Sequence, residues 1–264
     1  MLFGQFNAKV QYGNWSHTMR SLIEPIISFH KLRVAVPRYL RYISDWYRYK
    51  NLPHAETLRL EDGYPCLFDN AESTPYDPHY FYQAVWASRL LARTGARAHV
   101  DLGSDIRFIG PLTAMIPMVT FIDVRPVKAK SPGLHCVAAS AVHLPFADRS
   151  VSSLSCLHVA EHIGLGRYGD DLDPTGTRRA CAEMVRVLAP HSNLFLSVPV
   201  GRPRVCFNAH RIHTPRQVMS YLRGLDLVEF SVVDDYGQFR EKVDLNEMER
   251  ANYACGLFWL KSGQ

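Results

Sequence analysis

Apolar residues in the last two-thirds of the chain recur alternately at the spacing of strands and at the spacing of helices. Short apolar runs predict strands over residues 99–102, 118–123, 134–138, 151–157, 193–198, 226–233 and 256–260. Apolar residues at helical intervals predict helices over residues 79–95, 175–188 and 214–223. Gly95 ends the first helix, and Thr214 with Pro215 begins the last. Strands that alternate with helices predict an α/β fold with a doubly wound, mostly parallel sheet.

The N-terminal part of the chain follows a different pattern. Leu40, Ile43 and Tyr47 lie at helical spacing and predict an amphipathic helix within residues 28–50. Residues 51–78 are rich in turn-forming residues, which predicts an ordered connector with little regular structure. We therefore predict an N-terminal helical extension and connector over residues 1–78, followed by one α/β domain over residues 79–264.

Composition places the chain among ordinary globular proteins. Its 264 residues are 47% hydrophobic and 21% charged, which argues against disordered, collagen-like and coiled-coil classes. No apolar run reaches the roughly 18 residues of a membrane span, and the N-terminus lacks the pattern of a secretory signal. The six cysteines form no C-x-x-C pair, so we expect reduced thiols in a cytoplasmic protein.

The net charge of +5 is concentrated in residues 28–50, which contain six basic residues and one acid. A basic helix with aromatic residues suits three environments. The simplest is a solvated helix that packs its aromatic side on the main domain. The second is a membrane surface, which would make the protein peripheral to the inner face of the membrane. The third is nucleic acid, but no nucleic-acid motif accompanies the helix, so this partner is not expected.

Ligands of doubly wound sheets bind beyond the carboxyl ends of the strands. That rule selects candidate segments at residues 101–107, 123, 140, 158–162 and 199–211. Several of them contain the residue types that hold nucleotides or move protons, so their motifs decide which chemistry the sheet supports.

These segments resemble the motifs of class I S-adenosylmethionine-dependent methyltransferases. Residues 99–104, His-Val-Asp-Leu-Gly-Ser, resemble the glycine loop, and Asp123 stands 20 residues after Gly103, as the ribose-binding acid of that class does. Residues 144–148 and 158–162 are similar to two later motifs of the class. The resemblance covers residues 97–233 and implies a Rossmann-like fold, S-adenosylmethionine as cofactor, and a last strand that pairs antiparallel near strand five. The cofactor-binding residues that it implies are Asp101, Gly103, Ser104, Asp105, Asp123, Ser140 and His158.

Four further segments, at residues 77–83, 164–170, 205–211 and 255–259, are similar to a family of uncharacterised methyltransferase-like proteins. Members of that family are often associated with bacterial surface-polysaccharide genes. The two resemblances together imply an O-methyltransferase that acts on a sugar hydroxyl in surface-glycan biosynthesis. The acceptor would be a sugar or a lipid-linked glycan.

The glycine loop departs from the methyltransferase pattern. Asp105 and Arg107 stand where the class has its second and third glycines, and Ser140 stands where it has an acid. We expect the first two residues to bring bulk and charge into the space of the methionine part of the cofactor. Two alternatives therefore stay open: a glycosyltransferase or other enzyme that uses a nucleotide-sugar on this fold, and a non-catalytic scaffold.

Histidines and acids are concentrated in the predicted site. His162 or His210 is a candidate general base, because an imidazole pKa of about 6.5 suits removal of a hydroxyl proton. Glu161 would orient that histidine, and Arg211 would bind a phosphate or carboxylate of the acceptor. Residues 158–162 also resemble the metal-binding segments of ubiquinone-pathway O-methyltransferases and small-RNA 2′-O-methyltransferases. If a divalent metal binds as this resemblance implies, its ligands would be His158, Glu161, His162 and His210. The alternative is a site without metal, in which Glu161 caps a helix and His162 and His210 are polar residues of the site.

Overall fold

The structure, a computed structural model, describes residues 29–125 and 127–263. The chain divides into two units, Met1–Tyr76 and Asp77–Gln264. In the first unit, helix α1 spans Phe29–Lys50 and a 3-10 turn spans Leu60–Asp62, so the helix predicted within residues 28–50 is present. Within the two described ranges, no helix combines the length and the apolar character that a membrane span requires.

The second unit contains the alternating elements that the sequence predicts. Its helices are α2 Pro78–Thr94, α3 Ile106–Met115, α4 Gly176–Val187 and α5 Pro215–Tyr221. Its strands are β1 Ala98–Leu102, β2 Met118–Asp123, β3 Leu134–Ala138, β4 Val151–Leu157, β5 Leu188–Val200, β6 Arg204–Cys206, β7 His210–Ile212, β8 Leu225–Val233, β9 Phe239–Arg240 and β10 Ala254–Ser262. Short 3-10 turns span Ala160–His162 and Leu245–Met248.

Eight strands form one sheet in the order β3-β2-β1-β4-β5-β10-β8-β9, and β6 pairs with β7 in a separate hairpin. Strands β1 to β5 run parallel, whereas β10 lies antiparallel between β5 and β8. The expected antiparallel last strand beside strand five is therefore confirmed. The strand order reverses between β1 and β4, which is where a doubly wound sheet binds its ligand.

Apolar side chains pack on both faces of the sheet. On β5, Phe195 belongs to one core cluster and its neighbours Leu194 and Leu196 belong to the other. Successive side chains of a strand point to opposite faces, so the two clusters lie on opposite sides of the sheet. Helices α2 and α3 cover the first face, and α4 and α5 cover the second. The predicted fold class, a doubly wound and mostly parallel α/β sheet, is confirmed.

Several elements differ from the sequence prediction. Helix α3 is not predicted, because Gly110 and Pro111 lie inside it and both disfavour a helix interior. Strand β5 begins at Leu188, directly after α4, and is therefore longer than the predicted strand. The β6–β7 hairpin is also absent from the prediction, because strands of three residues leave too short a pattern to detect.

Candidate active site

The carboxyl ends of β1, β2 and β4 border a cleft of roughly 660 Å³, a volume that includes its open side. Apolar side chains form much of its wall. Its polar lining includes Asp123, Arg125, Ser140, His158, His162 and Tyr168. Four of these residues, at positions 123, 140, 158 and 162, are site residues that the sequence predicts, so the structure brings them to one place.

Gly103 turns the chain out of β1 at the floor of the cleft. Its φ of +63° lies in the left-handed region that favours glycine. A Cβ at this position would lie 3.2 Å from Cγ1 of Val159 and 3.8 Å from Oδ2 of Asp123. Because glycine has no side chain, the space between Val159 and the Asp123 carboxylate stays open.

Asp101 and Ser104 lie beneath this turn and do not line the cleft. Asp101 is fully buried, and its Oδ1 accepts from the N–H of Ser104 at 2.9 Å while its Oδ2 accepts from the hydroxyl of Ser104 at 2.7 Å. The hydroxyl of Ser155 on β4 also donates to Oδ2. Burial raises the pKa of Asp101 to about 6, against the lowering effect of these hydrogen bonds. In this structure, hydrogen bonds among Asp101, Ser104 and Ser155 therefore stabilise the turn at Gly103.

The charged pair of the loop also lies outside the cleft lining. Asp105 caps the N-terminus of α3, and its Oδ1 accepts from the backbone N–H of Arg107 at 2.8 Å. The Arg107 guanidinium donates to both carboxylate oxygens, which lowers the pKa of Asp105. The sequence predicts that these side chains intrude on the cofactor. The structure instead pairs them with each other at the start of a helix that the sequence pattern does not predict.

Asp123 stands at the tip of β2 with its carboxylate beside the cleft. One oxygen accepts from the backbone N–H of Arg125 at 2.7 Å. The guanidinium of Arg125 makes only long contacts to the carboxylate, at 3.3 and 3.4 Å, and lies 4.3 Å from the ring centroid of Tyr168. Arg125 and Tyr168 therefore form one wall, while the carboxylate keeps capacity to accept further hydrogen bonds.

Glu161 is completely buried between two histidines. Its Oε1 lies 2.6 Å from Nδ1 of His158 and 3.7 Å from Nε2 of His162. Burial raises the pKa of Glu161, but His158 and His162 outweigh this effect and the net shift is downward. The carboxylate is therefore ionised near neutral pH and can orient both rings.

His162 is placed to accept a proton at the cleft. Its Nδ1 donates to the carbonyl of Ala209, which leaves Nε2 with the free lone pair. Burial lowers the pKa of His162, and this outweighs the raising effect of Glu161. A neutral imidazole with a free ring nitrogen is the protonation state that a general base requires.

More rings surround these histidines. The ring centroid of His79 lies 5.5 Å from that of His158, and Tyr253 stacks on His79 at 5.2 Å. Tyr253 also lies 4.9 Å from His210, whose ring is 6.5 Å from that of His162. Burial lowers the pKa of His79 to about 3 and that of His210 to about 4, so both rings are neutral near pH 7.

The potential metal ligands that converge differ from the predicted set. Within residues 29–125 and 127–263, the candidate ligand atoms that lie within 4.8 Å of one another belong to His79, His158 and Cys255. The predicted set consists of His158, Glu161, His162 and His210. Only His158 belongs to both sets.

Arg211 is buried, and its guanidinium faces backbone rather than the cleft. It donates to the carbonyl of Ile163 and, at 2.8 Å, to the carbonyl of Asp173. A longer contact of 3.5 Å reaches the carbonyl of Gly164. The side chain predicted to bind an acceptor therefore fastens the loop that follows the 3-10 turn Ala160–His162.

Sequence reasoning missed His79, Arg125, Tyr253 and Cys255 as parts of this region. The N-cap Asp77 and Pro78 begin α2 and place His79 in its first turn. His79 and Cys255 both lie in segments that resemble the uncharacterised methyltransferase-like family. That resemblance is the signal that could have found them.

A protein-family profile described as "Caenorhabditis protein of unknown function, DUF268" matches residues 146–253, fewer than half of the chain. The matched segment runs from the loop before β4 to the residue before β10, so it includes the buried glutamate and its two histidines. No curated protein matches the chain.

The solved structures with a similar fold include several methyltransferases. The N-methyltransferase NodS from Bradyrhizobium japonicum WM9, crystallised with S-adenosyl-L-homocysteine, is 17% identical, and the match covers 84% of this chain and 99% of that chain with a TM-score of 0.51. A second structure of NodS is 18% identical over 75% of this chain and 100% of that chain, also with a TM-score of 0.51. A candidate sarcosine dimethylglycine methyltransferase from Galdieria sulphuraria is 13% identical over 69% of this chain and 86% of that chain, with a TM-score of 0.51. This chain therefore has the Rossmann-like fold of class I S-adenosylmethionine-dependent methyltransferases.

Proposed function

We propose that this protein is an S-adenosylmethionine-dependent O-methyltransferase and that its acceptor is a sugar hydroxyl of a surface glycan. The observation that carries the proposal is the cleft between Gly103 and Asp123, where a carboxylate borders an open floor. S-adenosylmethionine would supply the methyl group there as an electrophile.

The residues of the cleft suit a nucleoside. Asp123 would accept hydrogen bonds from the ribose hydroxyls, and each charge-assisted bond contributes about 1.5–3 kcal/mol. Its contacts with the Arg125 guanidinium are long, so a ribose can replace them at little cost. Ser140 and the apolar side chains Ile122 and Ala141 line the same cleft and would contact the base.

His162 would act as the general base. Its Nε2 carries the free lone pair at the cleft, and the ionised Glu161 lies 3.7 Å away and stabilises the imidazolium that forms. The hydroxyl proton of the acceptor would pass to this nitrogen as the hydroxyl oxygen takes the methyl group, whose bond to the cofactor sulfur would break and leave S-adenosylhomocysteine. Alignment supplies most of the acceleration, because the electrophile is already reactive.

A sugar acceptor fits the surroundings of His162. The ring of Tyr168 meets the His162 ring edge-on at 5.9 Å and offers apolar surface for the C–H face of a sugar. The neutral ring of His210 adds a hydrogen-bonding group without a fixed charge. Residues 164–170 and 205–211 resemble an uncharacterised methyltransferase-like family whose members are often associated with bacterial surface-polysaccharide genes, and this resemblance supports the proposed glycan context.

Calorimetric titration of the full chain with S-adenosylmethionine tests the proposal. Micromolar binding is expected, which corresponds to roughly −8 kcal/mol. Asp123→Asn should weaken binding about tenfold or more, because the amide loses the charge that strengthens both ribose bonds. Asp226→Asn, the same change at an exposed residue of β8, is the matched control and should leave binding unchanged. No binding of S-adenosylmethionine, together with binding of a nucleotide-sugar, would overturn the proposal in favour of a sugar transferase.

The role of His162 is tested separately. His162→Ala should retain the affinity for S-adenosylmethionine and lose release of S-adenosylhomocysteine with a panel of sugar acceptors. Turnover equal to that of the unmodified protein would remove His162 from the mechanism without affecting the cofactor assignment.

A further inference from the structure

Three potential metal ligands from distant parts of the sequence meet beside the cleft. His79 lies in the first turn of α2, His158 follows β4, and Cys255 lies near the start of β10. One candidate ligand atom of each lies within 4.8 Å of the others. The topology explains the meeting, because the antiparallel β10 begins at the edge of the sheet where the parallel strands end.

His158 is the central member of this group. Its side chain is only 4% exposed, and its Nδ1 lies 2.6 Å from Oε1 of Glu161. Its other nitrogen, Nε2, is buried and has no hydrogen-bond partner among the described residues. A buried nitrogen without a partner is costly, unless a ligand occupies that position.

The backbone also holds His158 in an uncommon conformation. Its φ of +55° lies in the left-handed region, which is strained for a residue other than glycine. With this backbone conformation, the His158 ring lies beside His79 and Cys255. The contact between its Nδ1 and Glu161 fixes the orientation of the ring. A carboxylate on one nitrogen of a histidine whose other nitrogen is free is the arrangement that supports histidine ligands in metalloproteins.

The chemistry of the group selects the kind of ion. Two imidazoles and a thiol are borderline-to-soft donors, which favour Zn²⁺ and similar ions over Mg²⁺ or Ca²⁺. Bonds of about 2.0–2.3 Å to zinc place ligand atoms about 3.5 Å apart. The candidate atoms lie within 4.8 Å of one another, so the three side chains need to close by no more than about 1.3 Å. The half-buried His79 lies on the first turn of a helix, where such a movement is small.

We propose that His79, His158 and Cys255 form a binding site for Zn²⁺ or a similar transition-metal ion, with Glu161 as the residue that positions His158. Three protein ligands leave a fourth position for water or for an acceptor oxygen. On binding, the Cys255 thiol loses its proton to solvent and the thiolate becomes the ligand. The site goes beyond methyl transfer, and its existence does not depend on S-adenosylmethionine.

Titration of the chelator-treated full chain with Co²⁺ tests the site. One equivalent should bind and give the near-ultraviolet band of thiolate-to-cobalt charge transfer, and Zn²⁺ should displace it. Cys255→Ser should abolish the band and weaken binding at least tenfold. Glu161→Gln should retain the band and weaken binding between tenfold and a hundredfold.

Two matched variants serve as controls. Cys181 is an equally buried free cysteine, and His213 is another buried histidine whose Nε2 lacks a partner in the described ranges. Cys181→Ser and His213→Gln should bind Co²⁺ as the unmodified protein does. If Cys255→Ser does not fold, His79→Gln provides the test, because this half-buried residue contributes less to the core and its loss should still weaken binding at least tenfold. Absence of Co²⁺ binding, or a charge-transfer band that survives Cys255→Ser, would overturn the proposal.

Discussion

Asp101 is a carboxyl group that the protein buries completely, and no cation from the described part of the chain pairs with it. Its three hydrogen-bond donors come from Ser104 and Ser155, and all of them are neutral groups. These bonds do not offset the loss of hydration, so the pKa rises to about 6 from its ordinary value of 3.8. Between about pH 4 and pH 6, the folded protein therefore holds a proton that the unfolded chain has released.

Because the pKa of Asp101 is raised in the folded state, we predict that its contribution to the free energy of unfolding depends on pH. Stability falls with rising pH wherever the folded state binds more protons, so the contribution of Asp101 is lost as pH rises through about 6. Asp101→Asn removes this titration. Relative to the unmodified protein, the variant should gain about 3 kcal/mol between about pH 4 and pH 7, since about two pKa units are involved.

Urea denaturation at a series of pH values measures this difference. Asp148→Asn is the control, because it makes the same change at an exposed carboxyl that forms one ion pair, with Arg186. A constant difference between Asp101→Asn and the unmodified protein across this range would show that Asp101 stays ionised in the fold.

Individual site residues could be predicted where position on a strand decides the outcome. Gly103 and His158 directly follow strands and Asp123 is the last residue of one, so the rule for parallel sheets places all three at the cleft. Asp101 shows the limit of that rule. Its side chain accepts a hydrogen bond from Ser155 on the neighbouring strand. The position of a residue along its own strand does not predict such hydrogen bonds to a neighbouring strand.

At the scale of elements, Arg211 connects the β6–β7 hairpin to the loop after the 3-10 turn Ala160–His162. Two backbone carbonyls of that loop, from Ile163 and Asp173, accept from its guanidinium. The backbone of this loop is tightly packed, since Gly164 has a φ of +79° and a Cβ there would lie 2.2 Å from the carbonyl oxygen of Asp173. Removing the guanidinium should therefore destabilise this loop, part of which lines the cleft.

Arg211→Met should lower the free energy of unfolding by about 2–3 kcal/mol, because it removes the buried guanidinium that donates to two partly buried carbonyls of the loop. Arg179→Met is the matched control. Arg179 is exposed and pairs with the side chain of the same residue, Asp173, at 2.9 Å, so its loss should cost at most about 1 kcal/mol. Urea denaturation of both variants measures the contrast. Equal stability of the two variants, combined with weaker acceptor binding in Arg211→Met, would instead support the acceptor role that the sequence predicts.

Elements could be predicted where the chain carries its own start and stop signals. Asp77 caps α2 and Gly95 ends it at a φ of +64°, so both ends of this helix follow from local chemistry. Helix α3 also begins after a capping residue, Asp105, but Pro111 lies inside it. Because proline disfavours a helix interior, the sequence does not predict this helix. The β6–β7 hairpin depends on pairing between short segments, and its strands carry the side chains of His210 and Arg211 to positions that periodicity alone does not give.

At the scale of the whole molecule, positive charge and exposed apolar surface coincide on helix α1. Val36, Leu40, Ile43 and Tyr47 follow each other at intervals of four, three and four residues, and all four are exposed. Arg41 and Arg48 lie on other faces of the helix and share the acid Asp45 in exposed ion pairs. An apolar stripe beside basic residues is the pattern of a helix that lies in a membrane interface.

We therefore predict that helix α1 binds anionic membrane surfaces, where a lipid-linked glycan acceptor would be found. The full chain should sediment with vesicles that contain phosphatidylglycerol at low ionic strength and should stay in solution with neutral vesicles. Arg41→Glu combined with Arg48→Glu should reduce partitioning more than tenfold, because each basic residue near the surface contributes about 1 kcal/mol. The control is Arg178→Glu combined with Arg223→Glu, which makes the same change in net charge at exposed residues of the second unit. If both double variants sediment equally, binding reflects overall charge and not helix α1. If the unmodified chain does not sediment with anionic vesicles, the helix does not bind this surface and its exposed stripe requires another partner.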